Sequence, residues 1–516
     1  MTSLQTRLRA LSPQRLQNMR RGLEKESLRA LPDGWLALTP HPQALGSALT
    51  HKHITTDYSE SQLELITGVH DSAEQCLSEL REVHQAVYQA LGRGADAERL
   101  WVGSMPCRLP TDETIPLARF GSSNVGRAKS IYRMGLGHRY GRRMQTISGI
   151  HYNWSMPGLD NDEHFGLIRN FRRHAFVLLY LFGASPAVSG SFVADRTHEL
   201  LPLPGTACGT AHMPHGTSLR MGRLGYQSDD QATLAVSYNS LEGYAQSLRG
   251  ALTTPYPLYA TLGIRNPGGD YNQLATSLLQ IENEFYGLIR PKRVVHSGER
   301  PLHALRERGV EYIEVRCMDL DPFEPLGINA STMRFLDIFL LHCLLADSPP
   351  DTPDEIRALG RNQHRTAARG REPGLLLERG DDVITLTDWA IELLRECAPI
   401  AQALDSALGG HEHSDALAKA QAGLADPDSL PSARVLKTMI DDHGGSYAVF
   451  ARAHSEDIRQ QLLDLPYPAT LAQSFADLAT ASRAEQQRIE QADTLNFEDW
   501  RQVFLAPESL GVYEPA

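Results

Sequence analysis

Residues 310–323, VEYIEVRCMDLDPF, constrain the fold most strongly because their polar and apolar side chains alternate as they do in a β-strand. Glu314 and Arg316 share one face. The opposite face is apolar and consists of Ile313, Val315 and Cys317. Such alternation usually marks a half-buried strand whose polar face meets water. A carboxylate beside a guanidinium also suits a catalytic surface, and the other strands decide between these two interpretations.

Two further segments predict strands that carry reactive side chains on one face. In residues 22–28, an extended chain points Glu24 and Glu26 in the same direction. In residues 144–157, MQTISGIHYNWSMP, one face consists of Gln145, Ile147, Gly149, His151 and Asn153. A lone histidine on a strand is usually structural, but a histidine among these polar neighbours is a candidate ligand.

A third segment, residues 277–293 (SLLQIENEFYGLIRPKR), predicts another alternating strand, which Pro291 ends. Its polar face consists of Gln280, Glu282, Glu284 and Tyr286. Asp57 and Glu64 have opposite parity in a plain strand, so they face one site only if a bulge or kink separates them. Together the segments predict a sheet with one chemically dense face.

The composition excludes several classes of function. The chain has 516 residues, 41% apolar and 22% charged, as is typical of a soluble globular protein. Its net charge of -12 argues against nucleic acid or an anionic membrane surface as the main partner. The apolar runs 176–182 and 338–345 are too short to span a membrane and predict buried helices. No secretory signal is evident, and six cysteines without a CxxC pair indicate reduced thiols in a cytoplasmic protein.

The chain is expected to form one catalytic unit of 516 residues, with a sheet-rich core over 1–347 and a mainly helical part over 348–516. Ser12 before Pro13 predicts a helix that continues toward the strand at residue 22. Apolar spacing predicts further helices over 71–92, 387–408, 415–422, 454–464 and 471–492. The basic residues of 119–143 are by default a solvated surface, and anion binding is the alternative.

Six side chains from these segments are candidate metal ligands: Glu24, Glu26, Asp57, Glu64, His151 and Glu314. Oxygen ligands in this number favour Mg²⁺ or Mn²⁺ over structural zinc. Carboxylates cannot crowd together unless cations neutralise them. Two or more Mg²⁺ ions beside an arginine are typical of phosphoryl transfer. Residue chemistry alone therefore predicts a Mg²⁺-dependent site for phosphoryl transfer or phosphate hydrolysis, without naming the substrate.

A family resemblance names the substrate. Six motifs occur in this order over the first two-thirds of the chain: RGLEKESLRA, ITTDYSESQLELIT, SGIHYNWSMP, TSLRMGRLGYQ, LQIENEFYGLIRPKR, and EYIEVRCMDLDPFEPLGI followed by MRFLDIFLLHCLLAD. Together they resemble the proteobacterial type of glutamate–cysteine ligase. The resemblance implies an α+β fold similar to glutamine synthetase, in which a curved, mainly antiparallel sheet forms a funnel with helices outside. It also implies ATP-dependent joining of the glutamate γ-carboxyl to the cysteine amine through γ-glutamyl phosphate, the first step of glutathione synthesis.

The same resemblance implies roles for individual residues. The six candidate ligands would hold two or three Mg²⁺ ions, with Mn²⁺ as the alternative and ATP as co-substrate. Arg316, with Glu314 beside it, would meet the transferring phosphoryl group. The clamp for the cysteine carboxylate would be formed by Arg220, Tyr226 and Tyr286. The rest of the substrate pocket would be lined by Tyr58, Tyr132, Arg133, Gln145 and Ile147.

Two alternatives stay open at this point. One is a ligase of the same fold that joins glutamate to another amine. The other is a catalytically silent relative that binds metabolites, although such a protein has no chemical need for a charge-dense cluster. The expected partners are glutamate, cysteine and ATP, with neither nucleic acid nor membrane, and the chain is expected to act as a monomer.

Overall fold

A computed structural model describes residues 3–203, 209–225, 231 and 234–511 of the protein. Its strands are β1 (Arg20–Ala30), β2 (Ile54–Thr56), β3 (Gln62–Ile66), β4 (Arg99–Leu100), β5 (Ile150–Ser155), β6 (Ala187–Ser189), β7 (Leu201–Pro202), β8 (Thr210–His212), β9 (Ile289–Lys292), β10 (Tyr312–Met318), β11 (Leu376–Arg379) and β12 (Asp382–Thr385).

The largest sheet has the strand order β2-β3-β1-β5-β10-β9, with β4 also paired to β1, and every neighbouring pair is antiparallel. Its register places Glu24 opposite His151 and Glu26 opposite Glu64. Glu314 lies opposite Asn153 on the other side of β5. The predicted strands over 22–28 and 310–323 are thus confirmed, and the acidic side chains lie side by side on one face of an open sheet.

The helices are α1 (Ser3–Ala10), α2 (Pro13–Gln17), α3 (Ala73–Leu91), α4 (Asn124–Tyr140), α5 (Asn161–Phe182), α6 (Gly190–Val193), α7 (Leu241–Thr253), α8 (Pro257–Leu262), α9 (Pro301–Arg308), α10 (Ala330–Leu345), α11 (Pro353–Arg369), α12 (Leu386–Leu408), α13 (Glu412–Ala425), α14 (Pro431–Asp442), α15 (Tyr447–Asp464), α16 (Ala469–Ala492) and α17 (Phe497–Leu505). All helices predicted from apolar spacing are present, and the α+β class is confirmed. None of the helices within the described ranges combines the length and apolar character needed to cross a bilayer.

The face of the sheet opposite the acidic side chains is apolar and covered by helices. Helix α5 packs against β9 and β10, and α10 packs against α5. Asp337 on α10 accepts a hydrogen bond from the Tyr152 hydroxyl at 2.8 Å and pairs with the Arg21 guanidinium at 2.7 Å. Both partners have the opposite parity to Glu24 and His151, so strand alternation sends the two sets of side chains to opposite faces.

Two predicted strands are wrong in extent. The strand predicted over 277–293 is formed only at β9, and Glu282–Glu284 is instead a short 3₁₀ helix. Pro291 lies within β9 and does not end it, which a proline can do because β9 is an edge strand. In the segment 144–157, Met144–Thr146 is also a 3₁₀ helix, so Gln145 and Ile147 precede β5 and do not belong to it.

Two other predictions near the N-terminus need correction. Asp57 and Glu64 do not require a bulge within one strand, because the chain reverses between β2 and β3 and the Asp57 amide donates to Gln62 at 3.0 Å. Ser12 caps α2 as predicted by accepting from the Arg15 amide, but α2 ends at Gln17, three residues before β1 begins. The basic segment 119–143 is largely the helix α4.

The buried ion pair between Arg21 and Asp337 should contribute strongly to stability. The two side chains are 3% and 1% exposed. Asp337→Ala is expected to lower the free energy of unfolding by about 3–5 kcal/mol, because it leaves the guanidinium buried without a counter-charge. Asp347→Ala, which removes an exposed partner of Arg7, should cost less than about 1 kcal/mol. Urea denaturation followed by circular dichroism measures both, and equal losses would contradict the prediction.

Candidate active site

A cavity of about 690 Å³ lies over the polar face of the main sheet. Strands β1, β3, β5, β9 and β10, the β2–β3 turn and helix α4 all contribute to its walls. It brings together twelve of the residues predicted from the sequence: Glu24, Glu26, Asp57, Tyr58, Glu64, Tyr132, Arg133, Gln145, His151, Tyr286, Glu314 and Arg316. The convergence of residues that are up to 292 positions apart in the chain supports the interpretation of the sheet as a reaction surface.

His151 lies at the centre of the acidic cluster. Its Nδ1 is 3.0 Å from Glu24 Oε2 and 3.5 Å from Glu314 Oε1, and its Nε2 is 3.6 Å from Glu26 Oε1. Ligand atoms of Glu24, His151 and Glu314 all lie within 4.8 Å of one another. The Nε2 atom is buried and has no hydrogen-bond partner. A lone pair of this kind, surrounded by carboxylates, suits coordination of a cation.

The pKa values of two carboxyl groups show how strongly the cluster favours an added positive charge. Burial and the nearby Asp57 carboxylate raise the pKa of Glu26 to about 8. Burial and the carboxylates of Glu24 and Asp57 hold the pKa of Glu64 well above its usual value. Like charges in a desolvated site resist ionisation until a cation neutralises them. The donor set and its electrostatics therefore fit Mg²⁺.

Cationic side chains border the cluster on the β9 and β10 side. Arg316 donates from Nη1 to Glu314 Oε2 at 3.0 Å, and Lys292 Nζ lies 3.3 Å from Glu314 Oε1. Burial opposes ionisation of Glu314, but Lys292 and Arg316 together hold its pKa well below the usual value. The cavity thus presents carboxylates and cationic groups side by side, an arrangement that can bind a metal ion and a phosphate chain together.

Polar groups on and near α4 form the opposite wall. Arg133 donates from Nε to the Asp57 carbonyl oxygen, and Lys129 also lines the cavity. Gln145 donates from Nε2 to the Tyr286 hydroxyl at 2.8 Å. The Tyr58 hydroxyl is buried and makes no hydrogen bond. This wall therefore holds an unused hydroxyl and a fixed amide–phenol pair, both able to contact a polar ligand.

Two predicted substrate contacts that the structure describes, Arg220 and Ile147, are not among the groups that line the cavity. Arg220 is 1% exposed and donates from Nη2 to the Arg316 carbonyl oxygen at 2.8 Å, so it supports the backbone of β10 beside Arg316. A side chain at Gly149 would overlap its guanidinium, which explains the glycine there. Ile147 is fully buried in the apolar core. Tyr226 lies outside the described residues.

The cavity also contains residues that sequence reasoning missed. Arg290 and Lys292 alternate on β9, and Arg290 lies opposite Glu314. The two-residue spacing of Arg290 and Lys292 is a signal that both side chains share one face. The prediction of a single strand over 277–293, which is longer than β9, concealed that signal. A more apolar part of the wall is formed by side chains that include Tyr244, Leu274, Ile281, Trp500 and Phe504. Trp500 and Phe504 belong to α17, and no local signal links that helix to a cavity.

The sequence matches known proteins along almost its whole length. A profile of the family described as Glutamate-cysteine ligase matches residues 7–366. The glutamate–cysteine ligase of Pseudomonas entomophila (strain L48) is 46% identical over 499 residues, covering 92% of each chain. That of Saccharophagus degradans (strain 2-40) is 45% identical over 508 residues, covering 95% of this chain and 94% of its own.

Comparison with solved structures also indicates similarity to glutamate–cysteine ligases. A glutamate–cysteine ligase from Francisella tularensis in complex with AMP superimposes with a TM-score of 0.89 at 35% identity, covering 95% of this chain and 98% of that one. A bifunctional glutathione synthetase from Pasteurella multocida has a TM-score of 0.66 at 23% identity, covering 90% of this chain and 56% of that one, which shows likeness of fold. The likeness extends over the sheet-rich and the helical parts of this chain.

Proposed function

Because this chain belongs to the glutamate–cysteine ligase family, we propose that the acidic cavity is its active site. The family resemblance noted in the sequence is confirmed, and the chain joins the γ-carboxyl of glutamate to the amine of cysteine with consumption of ATP. The main support for placing the active site in this cavity is the convergence of Glu24, His151 and Glu314 beside Arg316. These side chains supply metal ligands and a phosphate-binding group in one cavity.

Mg²⁺ fits this site on the evidence of the unpaired His151 Nε2 and the carboxylates that resist ionisation. The residues proposed to hold two or three ions are Glu24, Glu26, Asp57, Glu64, His151 and Glu314. Mn²⁺ is the alternative, since it accepts the same oxygen and imidazole ligands. When bound, such ions would supply positive charge that stabilises the negative charge developing during phosphoryl transfer.

The reaction then proceeds in two steps. In the first, the glutamate γ-carboxylate attacks the terminal phosphorus of ATP, forming γ-glutamyl phosphate and releasing ADP. Arg316 is placed to donate hydrogen bonds to the oxygens of the transferring group, while Glu314 holds its guanidinium in position. In the second, the cysteine amine attacks the acyl carbon, and phosphate leaves. Lys292, which also lies beside Glu314, adds a second positive charge near the transferring phosphoryl group.

The α4 wall is proposed to contact the amino acid substrates. Tyr58, with its unpaired hydroxyl, and Tyr132 line the pocket, and the Gln145–Tyr286 pair offers a fixed polar surface. Arg133 is proposed to meet an anionic substrate group. Arg220 is proposed to hold the β10 backbone at Arg316, and the substrate contacts predicted for Arg220, Ile147 and Tyr226 stay predictions.

The more apolar part of the cavity is proposed to accept the adenine of ATP. The solved relative from Francisella tularensis binds AMP. An adenine ring requires apolar surface, and the ring centroids of Trp500 and Phe504 lie 4.7 Å apart in a stacked pair at this wall. Because α17 thus completes a cavity whose floor is formed by strands between β1 and β10, namely β1, β3, β5, β9 and β10, we propose that residues 1–347 and 348–516 form one catalytic unit.

The proposal also covers the oligomeric state, the cellular location and the binding partners of the protein. The monomeric state stays a prediction. The described cysteines, Cys76, Cys107, Cys317, Cys343 and Cys397, are free and buried, which supports a reducing, cytoplasmic location. The net charge of -12 supports small-molecule substrates over nucleic acid or a membrane surface.

A coupled assay of ADP release tests the activity. ADP formation should require both glutamate and cysteine, and mass spectrometry of the product should show a γ-linked dipeptide. 2-Aminobutyrate, putrescine and ammonia serve as competing amines, and faster ADP release with one of these would show a ligase with another specificity. ADP release that does not need an amine would contradict peptide-bond formation, and failure to bind Mg²⁺-ATP would favour the silent relative.

The raised pKa of Glu26 predicts that Mg²⁺ binding depends on pH. With a pKa of about 8 in the metal-free site, Glu26 is mostly protonated at neutral pH, and Mg²⁺ must displace this proton. The apparent Mg²⁺ affinity is therefore expected to rise about fivefold between about pH 7 and about pH 8. Isothermal titration of the nucleotide-free enzyme measures this slope. Glu26→Gln should make the slope shallower, leaving the part that Glu64, whose pKa is also raised, contributes, and an affinity independent of pH in the wild type would contradict the prediction.

A further inference from the structure

A second group of potential metal ligands lies in the helical layer, apart from the acidic cavity. One ring nitrogen each of His174 and His342 and the Cys343 sulfur all lie within 4.8 Å of one another. His174 is on α5, and the other two residues are on α10. The imidazole centroids are 5.5 Å apart. Among the described residues that line the cavity above, none belongs to this group.

His342 has the hydrogen bonding expected of a metal ligand. Its side chain is 1% exposed, and Nε2 lies 2.7 Å from Glu396 Oε2 on α12. Donation to this carboxylate places the ring proton on Nε2 and leaves a lone pair on Nδ1. That Nδ1 atom is buried and has no hydrogen-bond partner. A histidine whose second nitrogen donates to a carboxylate is the usual arrangement at protein-bound metals.

The neighbouring groups add to the same pattern. The Nδ1 atom of His174 is also buried without a partner. Cys343 is fully buried and free, and the fully buried Cys397 thiol is close enough to help raise its pKa. Two buried imidazole nitrogens left without hydrogen bonds are costly in a helical core unless a ligand satisfies them.

We propose that His174, His342 and Cys343 form a binding site for a Zn²⁺-like ion, with Glu396 positioning His342. Nitrogen and sulfur donors select a borderline-soft transition-metal ion, whereas Mg²⁺ prefers oxygen. Binding exchanges the Cys343 thiol proton for the ion, and the proton passes to solvent. Cys397 or a water molecule would complete a four-coordinate shell. The Glu396 side chain is 62% exposed, so the cluster is near the protein surface.

Such an ion would connect α5 to α10, the two helices packed behind the sheet. Through Glu396 it would also link them to α12 in the C-terminal part. An ion that binds the folded protein but not the unfolded chain raises stability in proportion to the logarithm of its concentration over its Kd. The inferred role is therefore structural and does not depend on the ligase reaction.

Cobalt titration of the full-length protein tests this site with a readout besides activity. Co²⁺ added to reduced enzyme in the presence of excess Mg²⁺ should bind with a stoichiometry of one and produce a thiolate-to-cobalt charge-transfer band. Zn²⁺ should remove the band by displacement. The excess Mg²⁺ competes with Co²⁺ for the carboxylate cavity, and the metal ligands proposed there include no thiolate that could produce the band. Absence of the band in the wild type would overturn the proposal, whatever the variants do.

Variants then assign the ligands. Cys343→Ser and His174→Gln should abolish the band, whereas Cys107→Ser, which alters another buried free cysteine, should keep it. A band that persists in Cys343→Ser, or disappears in Cys107→Ser, would overturn the assignment. Because a core variant can fail to fold, circular dichroism of each metal-free variant accompanies the titration, and His174→Gln alters the least buried of the three ligands.

A matched pair of variants tests the positioning role of Glu396. Glu396→Gln should weaken Zn²⁺ affinity by about 10–100-fold, the usual effect of losing a carboxylate behind a ligating histidine. Glu392→Gln, one turn earlier on α12, removes a surface partner of Arg379 and should leave the affinity unchanged. Thermal unfolding with and without Zn²⁺ gives a second readout. Zn²⁺ should raise the melting temperature of the wild type by several degrees, provided that the protein also binds Co²⁺. Equal affinities for the two variants would overturn the role of Glu396.

Discussion

Arg316→Ala is expected to lower kcat by about 100-fold or more, by analogy with the loss of one donor from a preorganised charge-stabilising site. The guanidinium sits on the cavity face of β10, 3.0 Å from Glu314, where it can meet a transferring phosphoryl group. Charge on that group grows in the transition state, so kcat should fall while the KM values for glutamate and cysteine change little. Steady-state ADP release measures both constants.

Two further variants separate this role from a structural one. Arg316→Lys keeps the charge but loses the planar pair of donors, so its kcat should lie between those of the wild type and the alanine variant. Arg357→Ala removes an arginine that pairs with Asp354 on α11, and because neither residue lines the cavity, its kcat should be close to normal. Near-normal turnover in a folded Arg316→Ala protein would remove Arg316 from the reaction.

Glu314→Gln is expected to have an even broader effect because Glu314 contacts three partners. Its carboxylate lies near His151, Lys292 and Arg316 and is 1% exposed. Loss of the charge removes a proposed Mg²⁺ ligand and leaves two cationic groups without their counter-charge. Mg²⁺ affinity should weaken by at least about 100-fold, and kcat/KM should fall by roughly 100- to 1000-fold.

The measurement combines Mg²⁺ titration with steady-state kinetics at saturating ATP. Glu311→Gln is the control, since this residue lies three positions earlier and pairs with Arg293 at 3.5 Å with a side chain 46% exposed. The control should retain both Mg²⁺ affinity and turnover. If Glu314→Gln bound Mg²⁺ as tightly as the control variant, the metal cluster would have to be placed elsewhere.

The floor of the site could be predicted from the sequence because its information is local. On β1 and β10, a two-residue period alone determines that Glu24 and Glu26, or Glu314 and Arg316, share a face. Antiparallel pairing then aligns those faces across the sheet. The sequence did not contain the order of the strands in any comparably local form, and the family resemblance implied only a curved, mainly antiparallel sheet; the order itself is given by the structure.

The prediction failed where distant partners decide the conformation. Glu282 and Glu284 alternate as strand residues do, yet they lie in a 3₁₀ helix. Arg139 on α4 pairs with Glu284 at 2.8 Å, with both side chains fully buried, and Arg300 pairs with Glu282 at 2.7 Å. Carboxylates that each meet a buried arginine are satisfied without a sheet, and no local pattern could reveal those partners.

The same reasoning explains why Trp500 and Phe504 were missed. They are four residues apart on α17, a spacing shared by every amphipathic helix. Which surface such a helix covers depends on where it docks. Here α17 docks against α4, and that contact brings two aromatic rings to the cavity wall.

The position of α17 also has a consequence for biosynthesis. During translation the residues of the carboxylate floor are made before the aromatic part of the wall, because α17 follows β10 in the chain. An interrupted polypeptide that ended before residue 497 would lack this part of the chamber. Premature termination would therefore yield fragments that have the carboxylate floor without the aromatic surface beside it.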